Sequence, residues 1–315
     1  MIPLFQYYRV VAAYLILLIH QQFWTKPMVV SSLTHVAVPL FAAMAGFLFA
    51  HSVGGEILPT LTKKVKRILV PYLIWAVIYW VANGVILDGL VKHEAITVPG
   101  IRSWLLGGTA CHLWFLPCLF VTFAVFAIGG WVINRVERVD RVGGVRMIAV
   151  DGVILTLAAM SQLIQDPTSA TFAGYARLYF GRLVFYFAVG HLLALIPVVK
   201  PVVASYVGGI LIMLGLANVV FQWVEGLVWN PLLLVIGLIM AAGCFRNRSV
   251  PKWVDRMAVT SMGIYLVHVL FTSGANFALQ KIGHSPLPAL MGFALSVVLF
   301  AASYLAVRLL PKKVF

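Results

Sequence analysis

Residues 10–23 read VVAAYLILLIHQQF and follow directly on Arg9. This stretch decides the fold class and also places the chemistry. Arg9 and His20 have ten residues between them. Eleven steps at about 100° each make roughly three full turns, so both side chains share one face of a helix. The rise separates them by roughly 16 Å, about half a hydrocarbon core. An imidazole inside so apolar a run is costly to bury, which makes it a functional-site candidate from the outset.

The rest of the chain agrees with a membrane environment. Its 315 residues are 62% hydrophobic and only 10% charged, with a mean hydropathy of +1.01. A soluble domain of this length needs far more charge to cover its surface. The expected fold is therefore all-α: a polytopic membrane protein of about ten transmembrane helices. Spans are expected near 7–23, 35–52, 68–87, 113–133, 147–164, 180–197, 202–221, 228–245, 258–279 and 287–308, with Gly, Pro or charged residues at their ends. The turn at 197–201 makes the sixth and seventh the least distinct pair. No repeat or linker divides the chain, so residues 1–315 read as a single integral domain. The first segment lacks a basic leader and a small-residue cleavage pattern, and is expected to stay as a membrane helix.

Charge orients these spans. One set of alternating ends carries 17 of the 23 basic residues, among them Arg9, Lys63, Lys64, Lys66, Arg67, Lys252, Arg256, Arg308, Lys312 and Lys313. The opposite ends carry six: Lys26, Lys92, Arg102, Arg177, Arg182 and Lys281. The positive-inside rule then puts both termini in the cytoplasm of a multi-pass cell-membrane protein. The net charge of +14 thus reflects topology and lipid headgroups rather than a nucleic-acid partner. Cys111, Cys118 and Cys244 have no metal-ligand spacing and read as small apolar fillers; no metal is expected.

Four groups of residues can carry chemistry. At the cytoplasmic mouth of the first helix, the Arg9 guanidinium suits a phosphate-bearing ligand, and the deeper His20 suits a general base toward a hydroxyl. Equally, Arg9 can snorkel to headgroups and His20 can make an interhelical hydrogen bond. Lys63–Lys64–Val65–Lys66–Arg67 is either a stop signal or a cradle for a diphosphate. His112–Leu113–Trp114–Phe115–Leu116–Pro117 opens the fourth span, where Pro117 is expected to loosen the first turns. In the ninth span Tyr265 and His268 are three apart on one face.

Together these segments resemble the acyltransferase-3 family of membrane proteins, in the family's order. Arg9 to His20 matches its Arg-x10-His signature. Val38–Pro39–Leu40–Phe41 with Ala45–Gly46–Phe47 resembles its "VPxF…SGF" second helix, and Lys64 and Arg67 before Pro71–Tyr72–Leu73 resemble "RxxR…PPYL". His112 to Leu116 matches "HLWFL", and Gly263 to His268 matches "GIYLxH". Two positions depart: Ala45 stands where the family usually has Ser, and Lys64 keeps the charge of an Arg but loses its planar fork.

The resemblance implies transfer of an acyl group, usually acetyl from acetyl-CoA, to a hydroxyl or amino group of a glycan, lipid-linked sugar or small acceptor. It implies O-acetylation or a related glycan modification, with His20 catalytic and Arg9, Lys64 and Arg67 on the CoA side. His112, Trp114, Tyr265, His268 and Arg182 are candidates for binding the acceptor or supporting the site. None of the nine acids falls in sequence where it obviously orients His20. His20 is then either a general base or itself the group that takes the acyl. The competing reading is a transporter of a glycan, lipid-linked intermediate or small solute, with the buried Arg and His residues lining its path.

Overall fold

A computed structural model describes residues 2–51, 57–83, 104, 109–136, 143–160, 179–196, 201–223, 230–245 and 249–310. Among these the chain is helical; the one β feature is an isolated bridge between Trp24 and Leu287. Helix is what an apolar sequence requires in lipid, because it satisfies every backbone donor and acceptor within the segment.

The helices are α1 (Pro3–Ile19), α2 (Met28–Thr34), α3 (Ala37–Ala50), α4 (Ile57–Lys64), α5 (Val70–Tyr79), α6 (Phe115–Val136), α7 (Gly143–Met160), α8 (Phe185–Leu195), α9 (Pro201–Phe221), α10 (Leu232–Cys244), α11 (Lys252–Val259), α12 (Ser261–Lys281) and α13 (Ala289–Leu309). Among the described residues, six continuous stretches are long and apolar enough to cross a membrane: Met28–Ala50, Leu58–Asn83, Phe115–Val132, Val202–Phe221, Ser261–Lys281 and Ala289–Leu309. Pro3–Ile19, Phe185–Leu195 and Leu232–Gly243 are apolar but shorter. The protein is thus a multi-pass, all-helical membrane protein.

Two compact units divide the chain: residues 1–53 with 136–308, and residues 54–135 with 309–315. In the first, α3 and α8 cross at close range. A Cβ at Gly46 would land on the Phe187 carbonyl, and one at Gly190 on the Ala43 carbonyl. Only glycine lets two backbones meet there, as is usual where membrane helices pack without a hydrophobic driving force. α1 packs on α3, α11 and α12, and the Tyr14 hydroxyl meets Ser296 on α13 at 2.6 Å. Ser296 donates its own proton to the Phe293 carbonyl, so Tyr14 is the donor of that pair. Away from these contacts the helices are apolar on the outside as well: Tyr206, Ile210 and Met213 on α9 and Leu290, Val298 and Leu305 on α13 are all exposed. That is the surface lipid demands.

In the second unit α4 and α5 form one run, joined by a π-helical turn at Val65–Leu69. Pro71 has no N–H to give the Arg67 carbonyl, which favours such a turn just ahead of it. Pro117 does not loosen α6 as its sequence suggested. α6 starts at Phe115, so the proline sits in the first turn, where its missing N–H has no intrahelical acceptor to satisfy.

Candidate active site

α1 stops earlier than its hydropathy implies. The helix ends at Ile19, and His20 caps it with φ −87° and ψ 2°. Tertiary bonds replace the last expected turn. Asn276 on α12 grips this end with both halves of its amide: Gln22 N–H donates to Asn276 Oδ1 at 3.1 Å, and Asn276 Nδ2 donates to the His20 carbonyl at 3.4 Å. Lys26 Nζ donates to the Gln21 carbonyl at 2.5 Å, and Trp24 Nε1 to Gln21 Oε1 at 2.9 Å. Partial burial pushes the Lys26 ammonium below its ordinary range. Leu287 N–H then reaches the Phe23 carbonyl at 2.7 Å. The segment carrying His20 is therefore fixed at several points to α12 and to the chain that follows it.

His20 is half-buried, and its ring lies 5.2 Å from that of His268, tilted by 50°. His268 is 1% exposed, and Tyr265, three residues earlier, is also buried, with the two rings 6.0 Å apart. Nδ1 of His268 is 2.7 Å from the Tyr265 carbonyl and 3.2 Å from that of Ile264. A carbonyl only accepts, so Nδ1 carries the proton. In the neutral ring Nε2 is then the acceptor.

At the other end of α1, Arg9 is half-buried within electrostatic reach of Asp255 on α11, and Gln6 Nε2 donates to Asp255 Oδ1 at 3.2 Å. Lys252, Asp255 and Arg256 with Val250 line a cavity of about 410 Å³. Of the named candidates, Arg9, His20, Tyr265 and His268 belong to this unit, and the structure brings the last three together. Arg182 lies in the π-helical turn Tyr179–Val184 of the same unit, with its side chain outside the described residues.

Lys64, Arg67, His112 and Trp114 belong to the second unit. Lys64 Nζ sits 3.7 Å over the Phe123 ring, a cation–π contact, whereas Lys63, Lys66 and Arg67 are exposed. His112 is buried edge-on against Tyr79, with centroids 4.9 Å apart. Trp114 is half-buried, at right angles to Phe115. Among the described residues no group of His, Cys, Asp and Glu could hold a metal ion.

One pair escaped the sequence reading. Asp151 on α7 and His191 on α8 meet at 2.7 Å between Oδ2 and Nδ1, and both are almost fully buried. An acid inside the stretch 147–164 was the available signal. Its partner lies 40 residues away, where no helical spacing links them. Removing one half of such a pair strands the other in a dry interior. Asp151→Ala is expected to cost about 3–5 kcal/mol, while the double change Asp151→Leu with His191→Leu should restore most of it. Thermal unfolding in detergent checks this; a single variant that melts with the parent would show the pair to be dispensable.

Apolar helices of membrane length, with histidines and charged groups held among them, define an integral membrane protein with polar side chains buried in its interior. Residues 4–308 match the family Acyl_transf_3, an acyltransferase domain, and the chain belongs to that family. It is a membrane acyltransferase. No curated protein and no solved structure matches it.

Proposed function

We propose that this acyltransferase takes an acyl group, acetyl in the first instance, from cytoplasmic acyl-CoA. The acceptor is a hydroxyl or amino group of a glycan, lipid-linked sugar or small molecule at or beyond the outer side of the cell membrane. The proposal includes about ten spans with both termini cytoplasmic, which puts Arg9 on the donor side and His20 deeper in. The observation that supports it best is the mounting of His20: its backbone is held by Asn276 and its ring faces His268 at 5.2 Å. A histidine that only filled space would have no need of two such restraints.

The donor phosphates carry negative charge, and the candidates for holding them are Arg9, Lys64 and Arg67. Arg67 is exposed at the π-helical turn, where its fork can take two phosphate oxygens. The thioester then comes to His20. Neutral imidazole accepts the acceptor's proton as its oxygen or nitrogen attacks the carbonyl carbon; the C–S bond breaks, and the thiolate of CoA takes that proton. In the alternative route a neutral His20 nitrogen attacks the thioester carbon, the C–S bond breaks and the CoA thiolate leaves with the ring's proton; the acceptor then takes the acyl group from the acyl-imidazole and leaves its own proton on the ring.

Incubating the purified protein with radiolabelled acetyl-CoA, with and without a lipid-glycan extract, tests the assignment. Release of CoA together with label in the extract is the expected result. Neither release nor label, from folded protein, would contradict it.

A further inference from the structure

We infer that Lys252 and Arg256 on α11 form a subsite for a phosphate monoester, the 3′-phosphate at the nucleotide end of the acyl-CoA donor. The inference rests on the acyl-CoA reading above, and it adds two residues that the sequence marked only as orientation charge.

Three observations converge. First, Lys252, Asp255 and Arg256 with Val250 line one cavity of about 410 Å³. Small-molecule sites run from about 300 to 1,000 Å³, so the space is enough for part of a nucleotide. Second, α11 sorts its residues by face. Val254 and Ala258 are buried, while Lys252 and Arg256, four residues apart, are exposed. Cβ atoms at that spacing are about 5–6 Å apart, so two long cationic side chains can close on one tetrahedral anion. Third, the neighbouring acid is engaged by α1. Gln6 Nε2 donates to Asp255 Oδ1 at 3.2 Å, and Arg9 lies within electrostatic reach of the same carboxylate. Among the described residues neither Lys252 nor Arg256 makes an ion pair. The two cations therefore face the cavity without an internal counter-ion.

The 3′-phosphate of CoA fits this arrangement better than its diphosphate does. It is a terminal monoester with a charge of about −1.5 to −2, and it has a free 2′-hydroxyl beside it. Lys252 and Arg256 answer the charge. Among the described residues Asp255 Oδ2 has no donor, and a carboxylate there suits the ribose hydroxyl. In the proposed orientation the cavity lies at the cytoplasmic end of α1, where the donor arrives. The same phosphate chemistry is offered by an anionic lipid headgroup, since α11 is short and amphipathic and exposes Trp253. A headgroup diester carries a single charge, and so gives two cations less to hold.

The test uses the purified full chain in nanodiscs. The binding probe is adenosine 3′,5′-bisphosphate, and the substrates are acetyl-CoA and its 3′-dephospho form. Lys252→Gln and Arg256→Gln are each expected to weaken bisphosphate binding, and to raise the KM for acetyl-CoA, by about 10-fold. Because the contact is the same in ground and transition states, kcat should stay within about twofold. In the parent, the dephospho donor should have a KM about 100-fold above that of acetyl-CoA, having lost both charged contacts. The double variant should treat the two donors alike, and Lys252→Arg should stay close to the parent. Equal KM values for the two donors in the parent would overturn the inference and leave the acyl-CoA reading standing. A double variant that raises both KM values equally would also overturn it, by moving the cations to the diphosphate. Nanodiscs of phosphatidylcholine, with and without phosphatidylglycerol, separate the lipid source. Variants that bind the bisphosphate like the parent but retain less phosphatidylglycerol would assign the cations to headgroups and overturn the inference. A folded parent that neither binds CoA nor turns over acetyl-CoA would defeat the acyl-CoA reading itself, and this inference with it.

Discussion

Replacing Arg9, Lys64 or Arg67 by Gln should each raise the apparent KM for acyl-CoA by roughly 10- to 150-fold, with kcat far less affected. A hydrogen bond to a charged group contributes about 1.5–3 kcal/mol, and a contact made equally in ground and transition states appears in KM alone. Lys64→Arg should be tolerated, since an Arg keeps both the charge and the contact over the Phe123 ring. Arg9 needs a separate control. Its loss leaves Asp255 with Gln6 as its remaining polar neighbour on α1, so unfolding must be measured beside KM. Thiol release against acyl-CoA concentration, with direct CoA binding to each variant, decides the matter. Unchanged binding in folded Arg9→Gln and Arg67→Gln would leave these cations as topology signals only.

Helical class and membrane residence are legible in the sequence because both follow from hydropathy, a local property summed over many residues. The ends of helices are less legible. α1 was expected to run to Phe23 and stops at Ile19, because Asn276, more than 250 residues away, takes over the backbone of His20 and Gln22. α8 and α10 occupy stretches that read as full spans, yet α8 is preceded by a π-helical turn and α10 starts only after Pro231. Pro231 marks the second of these changes in the sequence, whereas the π-helical turn ahead of α8 has no proline beside it.

The candidate site divides in the same way. Tyr265 and His268 share a face by simple helical spacing, and the structure keeps them together. That His268 also lies against His20 is a tertiary fact, joining the two ends of the chain. The same holds for Arg9 beside Asp255 and for Asp151 on His191. Each motif is readable alone; the pairings arise only once the helices have packed.

The largest effect belongs to His20. An acceptor hydroxyl is a poor nucleophile until its proton begins to leave, and neutral imidazole removes it without needing a strongly basic medium. Positioned bases of this kind contribute about 10²–10⁴-fold, and His20→Ala should lose all of it. His20→Gln, similar in reach but unable to take a proton, should be equally inactive. Donor binding should survive in both, because in the proposed site the imidazole acts on the acyl end while Arg9, Lys64 and Arg67 hold the phosphates. Should label from acetyl-CoA remain on the protein in the absence of acceptor, and vanish in His20→Ala, the acyl-imidazole route is the one used.

The most direct measurement pairs two quantities on one preparation of folded His20→Ala protein: acetyl transfer from acetyl-CoA and equilibrium binding of CoA. The expected result is transfer reduced by at least about 100-fold with CoA binding intact. Transfer near the wild-type rate would contradict the assignment of His20 as the group that performs the chemistry.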